Sequence, residues 1–126
     1  MSALAELARQ LREEDTPIAG HVVDPGGEPQ PGDDYSLVME AVREGYLLHY
    51  GESRLLADHD PDLALLAGDY LYALGLDRLA ALGDERAVSI LSDLISRCAQ
   101  LHAEGDPAAI SGLWEAAARE IAGAAA

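Results

Sequence analysis

The chain has 126 residues, with eight Lys plus Arg against 23 Asp plus Glu and a formal net charge of −15. That is one domain's worth of length, and its charge argues against docking on nucleic acid or anionic lipid, because both reward clustered cations and no Lys is present. Ala and Leu dominate the hydrophobic residues whereas Val and Ile together number ten, so helix formers far outnumber strand formers and an all-α fold is expected.

Apolar residues Leu4, Leu7, Ala8 and Leu11 recur at helical spacing, with Ser2 available as a cap and Pro17 as a stop. The spacing predicts a short helix or arm over residues 1–15, whose acidic last turn, Glu13, Glu14 and Asp15, opposes the helix dipole. Residues 16–33 hold four of the six prolines and four of the twelve glycines, which predicts a long loop. A helical domain is expected over 34–126. Its first helix runs from Asp33 or Asp34 to Gly51, with Leu37, Val38, Ala41, Val42, Gly45 and Leu48 on one side and Glu40, Arg43 and Glu44 on the other.

The next helix opens at Asp60-Pro61, a cap followed by a first-turn proline, and ends near Leu82. It is apolar nearly all round, so it is expected at the centre of a compact antiparallel bundle of four to five helices. Ala64, Gly68 and Gly75 form a small-residue stripe along it, suited to close approach of a second helix. Gly83-Asp84 reads as a stop followed by a start. The helix after it points Val88, Leu91, Leu94, Ile95, Cys98 and Leu101 inward, and Asp106-Pro107 begins a last helix with Ile110, Leu113, Trp114, Ala117 and Ile121 on its stripe.

Candidate chemistry is sparse. Asp58, Asp60 and Asp62 alternate around His59 and Pro61 and are weak candidates for holding a hard cation such as Mg²⁺; capping of the helix start is the expected use of Asp60. No two of the four histidines share a helical face, and the one cysteine, Cys98, has no second thiol for a zinc cage or a disulfide. His102 lies one turn from Cys98, yet a packed thiol is the expected outcome. Asp69 sits mid-helix among apolar neighbours, where burial would force a partner or protonation; a structural pair with Arg43, Arg54 or Arg97 is expected, and a substrate role is the alternative. No catalytic residue, resident metal or cofactor is expected. No apolar run reaches the length of a membrane span, and Glu6, Arg9 and Arg12 interrupt the N-terminal apolar pattern, so a cytoplasmic location is expected.

The segment Leu65-Leu66-Ala67-Gly68-Asp69-Tyr70-Leu71-Tyr72-Ala73, continuing to Leu79-Ala80-Ala81-Leu82-Gly83-Asp84, resembles a stretch of trans-polyprenyl diphosphate synthases. The resemblance covers roughly residues 63–105, about a third of the chain, and Gly68-Asp69-Tyr70-Leu71 is its informative core. In that family two aspartate-rich motifs hold Mg²⁺ ions that bridge the allylic diphosphate. Neither motif occurs here, nor does an Arg-Arg pair to grip diphosphate. The resemblance therefore implies a catalytically incomplete relative, most similar to the non-catalytic small subunit of heterodimeric polyprenyl (heptaprenyl) diphosphate synthases. The implied partner is another protein subunit, either a catalytic synthase or a second copy through self-association. Two alternatives stay open: a helical adaptor of an unrelated assembly and, ranked last, a small stand-alone enzyme.

Overall fold

A computed structural model describes residues 3–26, 34–57 and 60–125 of the chain, and side chains among them up to residue 121. Five α-helices account for most of these residues: α1 (Ala3–Glu13), α2 (Asp34–Tyr50), α3 (Pro61–Ala81), α4 (Glu85–Ala103) and α5 (Ile110–Ala125). Among the described residues there is no strand; an isolated antiparallel bridge joins Val22 to Leu56. The all-α class expected from composition is the class that forms. Backbone contacts divide the chain into two compact units, Met1–Arg78 and Leu79–Ala126.

In the first unit α1 packs on α2. The i, i+4 residues Leu7 and Leu11, with Ala8 between them, are fully buried, and they share a core with Leu37, Ala41 and Leu48 of α2 and Ala64, Ala67 and Leu71 of α3. Each fully buried leucine contributes about 1.5–3 kcal/mol relative to exposure. Glycines set how closely α2 and α3 meet. A Cβ on Gly45 would lie 2.8 Å from the Gly68 carbonyl oxygen, one on Gly68 would lie 2.3 Å from the His49 ring, and one on Gly75 would lie 2.5 Å from a Val42 methyl. The small-residue stripe read from the sequence is thus a helix-crossing surface, completed by Gly45 from the opposite helix.

The described part of the Pro/Gly-rich segment is tied to this core. Ile18 is buried and Ala19–His21 forms a 3-10 turn. The Val23 N–H donates to the Leu55 carbonyl at 2.7 Å and the Ala57 N–H to the His21 carbonyl at 2.9 Å, a short antiparallel pairing that satisfies backbone groups in both segments. Residues 27–33, including Pro29, Pro31 and Asp33, fall outside the described residues, as does the expected cap Ser2.

α3 begins as its sequence predicts, with the Asp60 carboxylate accepting the Leu63 N–H at 2.7 Å ahead of Pro61. One expectation is corrected: α3 is not covered on all sides. Leu65 and Leu66 are 55% and 60% exposed. Both flank the stripe that carries Ala64, Ala67, Gly68 and Leu71, and a helix packed closely through small residues leaves its opposite face uncovered.

In the second unit α4 packs on α5. The helices on both sides of α4's ends are punctuated by the same device. Gly83 (φ 75°) and Gly105 (φ 73°) take the left-handed conformation, and the backbone N–H groups of Gly83, Asp84, Gly105 and Asp106 donate back to Ala80, Leu79, His102 and Leu101, the paired bonds of a Schellman stop. Asp84 then accepts the Ala87 N–H at 2.9 Å and starts α4. Asp106 departs from expectation: its side chain makes no capping bond, and Pro107–Ala109 forms a 3-10 turn before α5. Leu91, Leu94, Cys98 and Leu101 of α4 and Ile110, Trp114, Ala117 and Ile121 of α5 are buried, as their spacing predicts, whereas Val88, Ile95 and Leu113 of the same stripes are only partly buried. No described helix is long and apolar enough to cross a membrane.

Candidate functional site

Four consecutive residues of α3, Gly68 to Leu71, carry the family-like motif, and their side chains have four different surroundings. Gly68 lies against Gly45 and the His49 ring of α2, and Leu71 is fully buried in the core. Asp69 is not buried: its side chain is 73% exposed, and its partner is an imidazole rather than an arginine, with His49 Nε2 at 3.2 Å from Oδ1. The sequence misplaced it because the leucines before it are themselves exposed, so apolar neighbours did not signal an apolar environment. His49 Nε2 also lies 3.2 Å from the Leu65 carbonyl. Two acceptors face this nitrogen, so it carries the proton. The Tyr72 ring meets the imidazole edge to face at 5.2 Å and fixes its plane.

Tyr70 reaches across to the end of α1, where its hydroxyl donates to Glu14. Burial, and secondarily the Glu14 carboxylate, push its pKa up to about 12, which keeps the phenol protonated as a donor. Beside it, Thr16, Pro17, Ile18, Leu66, Ala67 and Tyr70 line a groove of about 190 Å³. Thr16 Oγ1 is buried behind the groove's apolar surface, with no hydrogen-bond partner among the described residues. The exposed Leu65–Leu66 face, this groove and the His49–Asp69 pair all lie in the first unit.

Of the weak metal candidates, Asp58 and its neighbour His59 fall outside the described residues. Asp60 spends its carboxylate on the helix cap and Asp62 is exposed in the first turn of α3. Among the described residues no group of three or more His, Cys, Asp or Glu side chains is placed to hold a metal ion.

Two acidic residues, Glu44 and Glu6, lie inside the core. Glu44, read as part of the outward face of α2, is fully buried. Its Oε1 accepts from Ser53 Oγ at 2.7 Å, the Arg54 N–H at 2.9 Å and the Leu55 N–H at 3.1 Å, while Oε2 accepts Arg54 Nε–H at 2.7 Å. Arg54 also reaches Glu40 at 2.7 Å. The carboxylate thereby organises the turn that carries Leu55 and Leu56 into the core. Glu6 is buried on α1, where the Arg9 guanidinium, helped by Gln10, holds its pKa down to about 2. Gln10 in turn accepts from Arg78, so a polar chain runs from α1 to the end of the first unit. The sequence signal for Glu44 is its position one helical turn from the buried Ala41 and Leu48; Glu6 has no buried apolar residue at that spacing.

Cys98 in the second unit is buried, and burial pushes its thiol pKa up while the Trp114 indole opposes that shift. A raised thiol pKa is the reverse of what an activated nucleophile needs. In the first unit the described side chains present outward an apolar pair on α3, Leu65 and Leu66, with the carboxylates of Asp62 and Asp69 beside it. Neither protein-family models, nor curated proteins, nor solved structures return a match to this chain.

Proposed function

We propose that the chain is a cytoplasmic, non-catalytic accessory subunit related to polyprenyl diphosphate synthases, which acts by protein–protein contact with a catalytic synthase and tunes the length of its product. The observation that carries this reading is the exposure of Leu65 and Leu66 within the segment that resembles the synthases. Two adjacent leucines more than half exposed, bordering a groove, form the kind of apolar patch that a partner covers. The sequence supports the non-catalytic half of the reading, since neither aspartate-rich motif nor an Arg-Arg pair is present to grip diphosphate.

The test uses a full-length synthase carrying both aspartate-rich motifs, assayed with and without the purified chain. The reading predicts a stable complex by size-exclusion chromatography with light scattering and a changed distribution of product chain lengths. No complex and an unchanged product distribution would refute it, and an adaptor role elsewhere would take its place.

A further inference from the structure

The exposed face of α3 has a definite charge pattern. Asp62 precedes Leu65 and Leu66 by three and four residues, and Asp69 follows them by four and three, so each carboxylate lies one helical turn from both leucines. Both are exposed, and Asp15 is exposed next to Thr16 in the groove wall. Of the first unit's arginines, Arg12 donates to the Val23 carbonyl at 3.3 Å, Arg9 bridges Glu6 and Glu13, and Arg78 donates to Gln10, while His49 meets one oxygen of Asp69 at 3.2 Å and leaves that carboxylate 73% exposed. The result is an apolar stripe with an acidic rim.

We infer that this face docks a basic amphipathic helix of a partner protein, whose apolar side chains cover Leu65 and Leu66 and enter the groove beside Tyr70, and whose flanking Lys or Arg residues meet Asp15, Asp62 and Asp69. The inference rests on the accessory-subunit reading for the existence of a partner and adds that partner's chemistry. Charge decides against the other occupants. A second copy, at −15 per chain, would on a two-fold axis set Asp62 and Asp69 against their own duplicates. An anionic lipid surface would be repelled by the same carboxylates. A helix is favoured over an extended strand because the described residues offer no sheet edge here, and side-chain ridges of one helix pack into the grooves of another. The groove is walled by apolar surface and accommodates one aliphatic side chain of the incoming helix.

The test measures fluorescence anisotropy of a labelled 16-residue amphipathic peptide, with Leu on one face and Lys on its flanks, titrated with the full chain at low and moderate salt. A peptide of the same pattern with Glu in place of Lys is the first comparison. The inference predicts binding of the Lys peptide, weakened about tenfold or more by Leu65→Gln/Leu66→Gln. It predicts a severalfold loss and a shallower salt dependence for Asp62→Asn/Asp69→Asn. Asp93→Asn/Glu120→Gln in the second unit, which removes the same charge, should bind as wild type does. All three variants alter exposed side chains, and unchanged thermal melts verify their folds. Equal weakening by the second-unit variant would reduce the binding to diffuse electrostatics and overturn the inference. So would undiminished binding by the leucine variant, equal binding of the Glu peptide, or a dimer in sedimentation velocity that the leucine variant abolishes. The peptide assay contains no synthase, so its failure removes this docking chemistry alone, whereas an unaltered synthase product removes the accessory-subunit reading.

Discussion

Replacing Glu44 with alanine should be among the most destabilising single changes available to the first unit. The carboxylate accepts four hydrogen bonds from Ser53, Arg54 and Leu55, two of them from backbone N–H groups and one from a guanidinium. Removing it leaves the Arg54 N–H and the Ser53 hydroxyl without their acceptor in a buried turn. The Leu55 N–H keeps a second bond to Ser53 Oγ at 3.1 Å, and Arg54 keeps Glu40, so the loss is partial. Breaking a buried charge pair costs about 3–5 kcal/mol, and an orphaned buried donor about 1–3 kcal/mol. With Arg54 open enough to be rehydrated, the expectation for Glu44→Ala is about 3 kcal/mol, a large share of the roughly 5–15 kcal/mol that stabilises a domain. Glu44→Gln keeps one acceptor oxygen but sets an amide donor against Arg54 Nε–H, for an expected loss of about 1–2 kcal/mol. Glu40→Ala, which removes only a part-exposed pair, should cost less than about 1 kcal/mol. Urea unfolding followed by circular dichroism measures all three. Amide exchange supplies a local readout, because the turn anchors the Leu55–Val23 and Ala57–His21 bonds, whose amides should lose protection first in Glu44→Ala. The reasoning is refuted if Glu44→Ala unfolds within about 1 kcal/mol of wild type, or if Glu40→Ala costs as much.

Further expectations follow from single contacts. Gly68→Ala should destabilise by about 1–3 kcal/mol despite the better helix propensity of alanine, because its Cβ meets the His49 ring and the Gly45 carbonyl; Gly112→Ala in α5, with nothing within 4 Å, should be neutral or stabilising by up to about 1 kcal/mol. Thermal melts of the pair separate close approach from propensity, and equal shifts would contradict the helix-crossing assignment. Glu6 is held at about 2 against an ordinary 4.5, so its contribution to stability is complete above about pH 4.5 and is lost as pH falls towards 2. The shift corresponds to roughly 3 kcal/mol, which solvent screening at the 43% exposed Arg9 side chain reduces to about 1–2 kcal/mol. Glu6→Gln should flatten the stability profile over that window, and an identical acid limb in both proteins would count against the assignment. The Cys98 thiol should react with a disulfide reagent at pH 8 far more slowly in the native chain than in urea, since burial both shields it and raises its pKa; equal rates would contradict its placement.

The elements whose signals are local were legible in the sequence. Asp60-Pro61, Gly83-Asp84 and Gly105 act through bonds spanning a few residues, so composition at those points suffices to place the ends of α3 and α4. The inward stripes of α4 and α5 were equally readable from their 3.6-residue period. What was not legible depends on distant partners. Glu44 shares a helical side with Glu40 and Arg43, and the return of residues 53–55, nine to eleven positions later, supplies the partners of the buried Glu44 while Arg43 stays exposed. Asp69 was expected inside because periodicity reports that a helix is apolar but not which of its faces is covered. The pairing of residues 21–23 with 55–57 joins segments with no strand-like pattern of their own, held by two backbone bonds. The candidate face is hidden for the same reason: Leu65 and Leu66 read as core by type and become a surface only once Gly68 and Gly75 choose the opposite side for α2.

The central claim, that the chain acts by presenting the Leu65–Leu66 face of α3 to a catalytic synthase, is tested most directly by hydroxyl-radical footprinting of the chain alone and in an equimolar mixture with such a synthase. The account predicts that oxidation of Leu65 and Leu66 falls severalfold in the mixture while the exposed Leu82 of the second unit serves as the internal reference. Oxidation of the two leucines that stays unchanged while a complex forms would contradict it.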